Sequence, residues 1–293
     1  MAFRDTPLGQ YLWSALREVS GGQHADVRTQ VDEMAALATR VCARGNVVRD
    51  HETGSVIVWH RARGPSRERP VFLDAHLDTS FDLPAGRKPA PWFDERGYLH
   101  SPWLDNRVGC AILLSVGAKW AQLEQTAQRD LALIFPGYEE QGGRGRPTGA
   151  AVIARRYDWA EGAVFDVSEG VEPHGRRPVA GDMTAWGYSN GMLRIQTARI
   201  GWGPTIQRKG APWPLVVWER PTLRSWQRTD KTMPPGQYPN DIRWYAAAGV
   251  SRLRYVAIGV AGDMHSADSW AATADIEQAA EAMLLFAREM TSK

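Results

Sequence analysis

Apolar residues along this 293-residue chain recur with two different periods, which predict helices in some segments and strands in others. Apolar positions three and four residues apart predict helices over 8–20, 31–42, 108–120, 148–156, 240–248 and 274–290. Short apolar or alternating runs predict strands over 46–48, 55–59, 71–76, 131–136, 163–167, 193–200 and 253–260. Because the strands alternate with helices, we predict an α/β fold, a three-layer sandwich with a mostly parallel central sheet.

Two stretches interrupt this pattern of helices and strands. Residues 79–104 are rich in proline and glycine, and they predict an irregular excursion with a short hairpin at 92–99. Residues 201–238 combine proline, glycine, arginine and tryptophan without a clean period, and they predict loops. A chain of this length forms one large domain or two smaller ones.

The composition narrows the class of protein. A formal net charge of +2, with basic residues scattered among acidic ones, gives no indication of nucleic-acid binding. The first residues are polar, and no run approaches the ~18 apolar residues of a membrane span. Cys42 and Cys110 fall in apolar helical patterns and predict buried thiols in a reducing compartment. We therefore expect a soluble cytoplasmic protein that binds neither nucleic acid nor membrane.

The most informative stretch is 71–79, where an apolar run leads into a histidine and an aspartate. Side chains alternate along a strand, so His76 and Asp78 point the same way while the chain stays extended. This arrangement places an imidazole beside a carboxylate at the carboxyl end of a strand, where the functional sites of open α/β sheets lie. A His-x-Asp sequence is also short enough to arise by chance, so its weight depends on which other residues meet it.

Further acids and a second histidine follow predicted strands in the same way. Asp105 precedes a helix, and Asp166 interrupts an apolar strand, where a buried carboxylate needs a partner. Two glutamates and a histidine come directly after two other strands: Glu139, Glu140 and His265. In a parallel sheet all these residues converge on one edge. Taken singly, Asp105 is equally well a helix N-cap, and the two glutamates are an ordinary solvated loop.

The converging side chains form a set of nitrogen and oxygen ligands that suits zinc, or cobalt or manganese. Two histidines and three carboxylates are too many for one catalytic zinc, which takes three protein ligands and keeps an open position. They suffice for two divalent ions if one carboxylate bridges the pair, and two-metal hydrolytic sites hold a shared hydroxide between the ions. We therefore expect a dinuclear metal site, with Zn²⁺ the first candidate.

Five motifs, in this order, carry a resemblance to a known family: Ala75-His76-Leu77-Asp78, Leu104-Asp105-Asn106-Arg107-Val108-Gly109-Cys110, Glu139-Glu140-Gln141-Gly142-Gly143-Arg144-Gly145, Phe165-Asp166-Val167 and His265-Ser266. The sequence resembles the co-catalytic dizinc aminopeptidases, in particular the glutamyl and tetrahedral aminopeptidase group. It is more distantly similar to the zinc carboxypeptidases and deacylases that share their core. The resemblance implies a zinc-exopeptidase fold and extends from about residue 30 to residue 290.

The resemblance also implies a role for each matching residue. It assigns the metal ligands as His76 and Asp166 for one ion, Glu140 and His265 for the other, and Asp105 as the bridge between them. Glu139 matches the general base that takes a proton from the attacking water. Asp78 matches the acid that holds the imidazole of His76. The family also leads us to expect a cis peptide bond between Asp105 and Asn106.

The chain departs from both branches of this family. The aminopeptidase group inserts a β-rich oligomerisation domain where only residues 79–104 stand here. The carboxypeptidase and deacylase branch places a lid domain where residues 167–264 stand here. We therefore expect residues 1–293 to form a single catalytic domain without either accessory domain. That expectation leaves a homo-oligomer open but argues against the large hollow assemblies of the aminopeptidase group.

The substrate is the least constrained part of the prediction. Six tryptophans lie between Asp166 and His265, and they either line an apolar substrate pocket or pack the core or a subunit interface: Trp186, Trp202, Trp213, Trp218, Trp226 and Trp244. We expect an aminopeptidase that acts on small peptides or aminoacyl amides, with an N-acyl amino acid deacylase as the alternative. A non-catalytic metal-binding interaction protein is a remote alternative, because the base and all five ligand positions are filled. A carbohydrate- or aromatic-ligand-binding module would rest on tryptophan content alone.

Overall fold

A computed structural model describes residues 2–22, 24–63, 68–83, 89–95, 97–140, 147–170, 205–206, 215–219, 241–250, 252–261, 266–267 and 269–292. The helices in these ranges are α1 (Pro7–Glu18), α2 (Val27–Val41), α3 (Leu104–Ala118), α4 (Trp120–Leu123), α5 (Gly149–Arg156), α6 (Ile242–Ala247) and α7 (Thr273–Thr291). The strands are β1 (Asn46–Asp50), β2 (Ser55–His60), β3 (Val71–Asp74), β4 (Trp92–Phe93), β5 (Tyr98–His100), β6 (Leu131–Phe135), β7 (Glu161–Gly170), β8 (Thr205–Ile206), β9 (Leu215–Glu219), β10 (Arg252–Ala261) and β11 (Trp270–Ala272). The predicted strand at 193–200 lies outside the described residues, as does most of the stretch 201–238. The two described parts of that stretch are the strands β8 and β9, where the sequence predicted loops.

The described strands form one sheet in the order β1-β2-β6-β3-β7-β10-β11-β5-β4, with β9 paired to β10 and β8 to β9. Its centre is parallel: β3 pairs in parallel with β6 and β7, and β7 pairs in parallel with β10. The strands on either side are antiparallel. The carboxyl ends of β6, β3, β7 and β10 therefore lie along one edge of the sheet, as the alternation of strands and helices predicts.

Helices cover both faces of the sheet and create two apolar cores. Strand β3 illustrates the division, because Val71 and Leu73 belong to one core and Phe72 to the other. Helices α1, α2, α3 and α7 pack on the first face, whereas α5 and α6 pack on the second. This arrangement confirms the predicted three-layer α/β fold.

Side-chain caps fix where three helices begin. Thr6 accepts a hydrogen bond from the amide of Gly9 at 3.1 Å, and Pro7 occupies the first position of α1. Asp26 accepts from the second and third amides of α2, and Thr148 accepts from the amide of Ala151 at 3.2 Å in α5. Each cap satisfies a backbone donor that the first turn of a helix leaves unpaired.

The structure also tests the smaller predictions. The hairpin expected at 92–99 is present, because β4 and β5 pair antiparallel with Phe93 opposite Leu99. Cys42 and Cys110 are both buried free thiols, as expected. The short elements α4 and β11 carry too few residues to show a period, and the sequence did not predict them. Among the helices described here, none has the length and hydropathy to cross a membrane.

Candidate metal centre

The carboxyl ends of the parallel strands bring most of the predicted site residues to one edge of the sheet. β3 leads into His76 and Asp78, and β6 leads into Glu139 and Glu140. Asp166 lies within β7, whose partners on either side are β3 and β10. β10 ends just before the segment that contains His265, which lies outside the described residues.

His76, Asp105 and Asp166 lie closest together. The Nε2 atom of His76 is 3.0 Å from Oδ1 of Asp105 and 3.5 Å from Oδ1 of Asp166. All three side chains are buried, with exposed fractions of 3, 5 and 6 %. One ligand atom from each residue lies within 4.8 Å of the other two, and within the described part of the chain no other three His, Cys, Asp or Glu residues converge in this way.

The chemistry of this group fits a divalent metal ion. Its donors are one imidazole nitrogen and two carboxylate oxygens, which are ligands of catalytic zinc and related metals. The Nδ1 atom of His76 donates to the main-chain carbonyl of Asp78 at 3.0 Å. This bond leaves Nε2, the ring atom that faces Asp105 and Asp166, as the atom of His76 that could bind a metal ion.

The segment that carries Asp105 is fixed by the residue after it. The bond between Asp105 and Asn106 is cis, as expected, and neither residue has helical backbone angles. Asn106 accepts from the amide of Gly109 at 3.1 Å and so makes the capping bond of the regular part of α3. Its Nδ2 atom donates to the carbonyl of Phe165 at 2.9 Å and lies 3.4 Å from Oδ1 of Asp166. Asn106 therefore ties the segment of Asp105 to β7.

Gly109 permits the close approach of α3 to the sheet. A Cβ atom at this position would lie 2.6 Å from Cδ1 of Phe165 and 2.7 Å from Cβ of Ala75. Real Cβ atoms do not come that close to another carbon, so any larger residue would push the helix away from β3 and β7. The glycine thus contributes to the position of Asp105, four residues earlier.

Asp78 joins the loop after β3 to the loop after β6. Its Oδ1 atom accepts from the amide of Glu139 at 3.1 Å, and its Oδ2 atom accepts from the amide of Glu140 at 3.0 Å. The nearest carboxylate oxygen of Asp78 is 3.7 Å from Nδ1 of His76, longer than a hydrogen bond. The carboxylate of Asp78 therefore holds the backbone of Glu139 and Glu140, while its carbonyl oxygen orients His76.

The electrostatics of the site favour positive charge between the carboxylates. Burial by itself lowers the pKa of His76, but hydrogen bonds to Asp105 and Asp166 outweigh burial and hold that pKa well above its usual value. Burial raises the pKa of Asp166 to about 6, although His76 opposes the shift. Burial likewise raises the pKa of Glu139 well above its usual range, again against the effect of His76.

Sequence reasoning missed a second set of buried polar groups beside this centre. Tyr245 of α6 donates from its hydroxyl to Oδ2 of Asp74 at 2.6 Å, and Asp241 is buried one turn before Tyr245. Asp74 stands in an apolar strand just as Asp166 does, so the argument that singled out Asp166 applies to it as well. Asp241 gave only the signal of a residue that opens a helix.

Of the six tryptophans considered for a substrate pocket, only Trp244 has a described side chain. It is partly buried, packs against the core on the α5 and α6 face, and lies 4.6 Å from the guanidinium of Arg243. Trp218 lies in β9, where its backbone pairs with Tyr255. The other four lie outside the described residues: Trp186, Trp202, Trp213 and Trp226.

Comparisons of the sequence find no match, whereas comparisons of the fold find many solved structures with a similar fold. No protein-family model and no curated protein sequence matches the chain. A TET aminopeptidase from a marine-sediment Thaumarchaeota archaeon superposes with a TM-score of 0.61 at 13 % identity, over 95 % of this chain and 96 % of the other. An aminopeptidase of the archaeon Desulfurococcus kamchatkensis gives 0.61 at 14 % identity, over 97 % and 96 %. Aminopeptidase PepT of Bacillus cereus gives 0.56 at 12 % identity, over 99 % of both chains.

These solved structures share one fold with the present chain over nearly its whole length. The fold implied by the motif resemblance is therefore confirmed, and its solved neighbours include aminopeptidases. At identities of 12 to 14 % the likeness establishes the fold alone.

Proposed function

We propose that this protein is a dinuclear metal-dependent peptidase, an aminopeptidase that hydrolyses small peptides or aminoacyl amides. The observation that carries the proposal is the convergence of His76, Asp105 and Asp166 at the carboxyl edge of a fold shared with aminopeptidases. These residues supply a histidine and two carboxylates, and Glu139 and Glu140 are fixed beside them through Asp78. Fold alone does not define function, so the proposal rests on this site.

The roles of the remaining residues follow the motif resemblance. His76 and Asp166 would hold one ion, Glu140 and His265 the other, and Asp105 would bind both. When bound, two divalent ions polarise the carbonyl of the scissile amide and make a water molecule acidic enough to attack it near neutral pH. We expect two metal ions per chain, with Zn²⁺ the first candidate and Co²⁺ or Mn²⁺ as substitutes.

Glu139 is the proposed general base. Its neighbour Glu140 is the proposed ligand, and adjacent side chains diverge, so the carboxylate of Glu139 remains available for proton transfer. It would take one proton from the attacking water as the new C–O bond forms, and deliver that proton to the departing amine as the C–N bond breaks. A pKa raised by burial suits a group that must both accept and return a proton.

The decisive experiment compares Glu139→Gln with the wild-type protein after both have been loaded with zinc. Hydrolysis of an aminoacyl p-nitroanilide should fall by roughly 100- to 10,000-fold, the usual contribution of a general base. The metal content measured by mass spectrometry should stay at the wild-type value. Glu281→Gln makes the same substitution on an exposed position of α7 and should leave both quantities unchanged. An unaltered rate in Glu139→Gln would remove the proposed base.

The choice of substrate decides between the two hydrolase alternatives. Wild-type protein should cleave aminoacyl anilides and lose that activity after treatment with a chelator, and zinc or cobalt should restore it. If the metal-loaded protein cleaves only N-acyl amino acids, the deacylase alternative replaces the aminopeptidase. If it binds metal but cleaves no amide of either class, a metal-binding interaction protein becomes the better description.

A further inference from the structure

Two further carboxyl groups are buried beside the proposed metal centre, where helix α6 packs against the end of strand β3. One belongs to the last residue of β3, and the other belongs to the residue before α6. The ring of Tyr245 stacks on Phe72 with centroids 4.0 Å apart, and its hydroxyl donates to Oδ2 of Asp74 at 2.6 Å. Asp241 is buried directly before α6, four residues before Tyr245. The charge of Asp74 acts on Asp241, so the two carboxyl groups lie near each other. We call Asp74 and Asp241 the acidic pair.

The acidic pair is buried and lacks partners for most of its oxygens. Asp74 has an exposed fraction of 0 % and Asp241 of 2 %. Within the described part of the chain, Oδ1 of Asp74 and both carboxylate oxygens of Asp241 make no hydrogen bond, and no arginine or lysine pairs with them. A carboxyl group removed from water without a partner takes up a proton or a cation, and burial accordingly raises the pKa of Asp74 to about 8.

The acidic pair lies within electrostatic reach of the proposed catalytic groups. Burial raises the pKa of Asp241 well above its usual range; the charges of Asp74 and Asp166 add to this shift, and that of His76 opposes it. The charge of Asp241 acts on Glu139 as well, where it reinforces the effect of burial. A cation bound by the acidic pair would therefore lie next to the base and the metal ligands.

We propose that the acidic pair binds the protonated amino terminus of the substrate. A primary ammonium group carries three N–H donors, and the acidic pair offers three unpaired oxygens. Hydrogen bonds between an ammonium and carboxylates are strong where water is excluded, although a ligand reaches buried oxygens only when the site opens locally. This inference rests on the proposed function and specifies its substrate class: amides with a free amine, rather than N-acyl compounds.

The test compares two ligands that differ only in the amine, L-phenylalaninol and 3-phenylpropan-1-ol. Neither contains an amide, so calorimetry measures binding to the zinc-loaded protein without turnover. Wild-type protein should bind the amino alcohol roughly 10- to 100-fold more tightly, the range for a hydrogen bond to a charged group. Asp241→Asn should reduce this preference to about threefold or less, with little change in affinity for the plain alcohol.

Asp275→Asn is a matched control for that variant. Asp275 is also a buried aspartate with both oxygens unpaired, but it belongs to α7 and has no place in the proposed site. This variant should keep the full preference for the amine. Asp74→Asn provides a second test if Asp241→Asn does not fold, and it should weaken the preference because it removes one of the three oxygens.

Two results would overturn the proposal. A preference for the amine that survives in both Asp241→Asn and Asp74→Asn would mean that the amine binds elsewhere, for example to the metal. If the wild-type protein shows no preference for the amine, the proposal fails. If, in addition, potassium or magnesium stabilises the wild-type protein but not Asp241→Asn, the acidic pair binds an inorganic cation. Failure of the proposed function would show separately, as unaltered turnover in Glu139→Gln, because the binding assay needs no turnover.

Discussion

Replacing Asp78 by asparagine should uncouple the loop of the proposed base from the rest of the site. Asp78 accepts the amides of Glu139 and Glu140, one on each carboxylate oxygen. An asparagine keeps one of these acceptors and presents an N–H group where the other oxygen stood. One backbone amide then loses its partner and faces a second donor.

The expected magnitude follows from the hydrogen bond that is lost. A hydrogen bond to a charged group contributes about 1.5–3 kcal/mol, and an unpaired buried donor costs a similar amount. Because the loop can relax, we take the net loss as about 2 kcal/mol. If the loss falls wholly on the arrangement of Glu139 in the transition state, it corresponds to a decrease in kcat of about 30-fold.

The assay measures kcat and KM on an aminoacyl anilide, together with unfolding in urea and the metal content. We expect a lower kcat with KM changed by less than about threefold, because the loop holds the base rather than the substrate. Asp158→Asn makes the same substitution on an exposed loop and should behave like the wild type. The reasoning would be refuted if Asp78→Asn kept the wild-type kcat, or if it lost activity only through loss of the metal ion that His76 is proposed to hold.

Three further substitutions test the packing of the protein, two of them beside the site and one at the opposite edge of the sheet. Gly109→Ala should lower the free energy of unfolding by about 1–3 kcal/mol and reduce activity, since its Cβ atom would lie 2.6 Å from Phe165; wild-type thermal stability would contradict this. Burial lowers the pKa of His60 to about 4, so the folded state loses stability as the pH falls from about 6.5 through 4. Between pH 7 and pH 4, the free energy of unfolding measured in urea should therefore fall by about 3 kcal/mol less in His60→Phe than in the wild type. Tyr245→Phe removes the donor to Asp74 and should cost about 1–3 kcal/mol in the same assay, and an unchanged urea midpoint would refute that bond.

Local periodicity predicted the elements whose side chains repeat over several turns or strand positions. Helix α2, predicted over 31–42 and found at Val27–Val41, and strand β6, predicted over 131–136 and found at Leu131–Phe135, are examples. The edge of the sheet at which the candidate site lies was predicted from the parallel arrangement of the strands alone, because their carboxyl ends meet there. The short elements at the margins, such as β11, have too few residues to express a period.

The contacts of the site were harder to predict, because they depend on groups that the sequence does not label. The carboxylate of Asp78 binds two backbone amides, and every residue except proline has such a donor. The bond between Tyr245 and Asp74 joins residues 171 positions apart and exists only because α6 packs on β3. The sequence indicated that a buried carboxylate needs a partner, but it did not indicate which partner.

The block that begins at Asp105 is informative because its residues act together on one backbone segment. Asp105 supplies an oxygen to the candidate metal centre, and Asn106 ties that segment to β7 through the carbonyl of Phe165. Gly109 lets α3 approach the sheet closely enough for the hydrogen bond of Asn106 to form. A substitution at Asn106 or Gly109 should therefore displace the carboxylate oxygen that Asp105 contributes to the candidate metal centre. For this reason a short contiguous motif predicted the position of a candidate ligand, whereas the partners of Asp78 and Asp74 could be identified only in the folded chain.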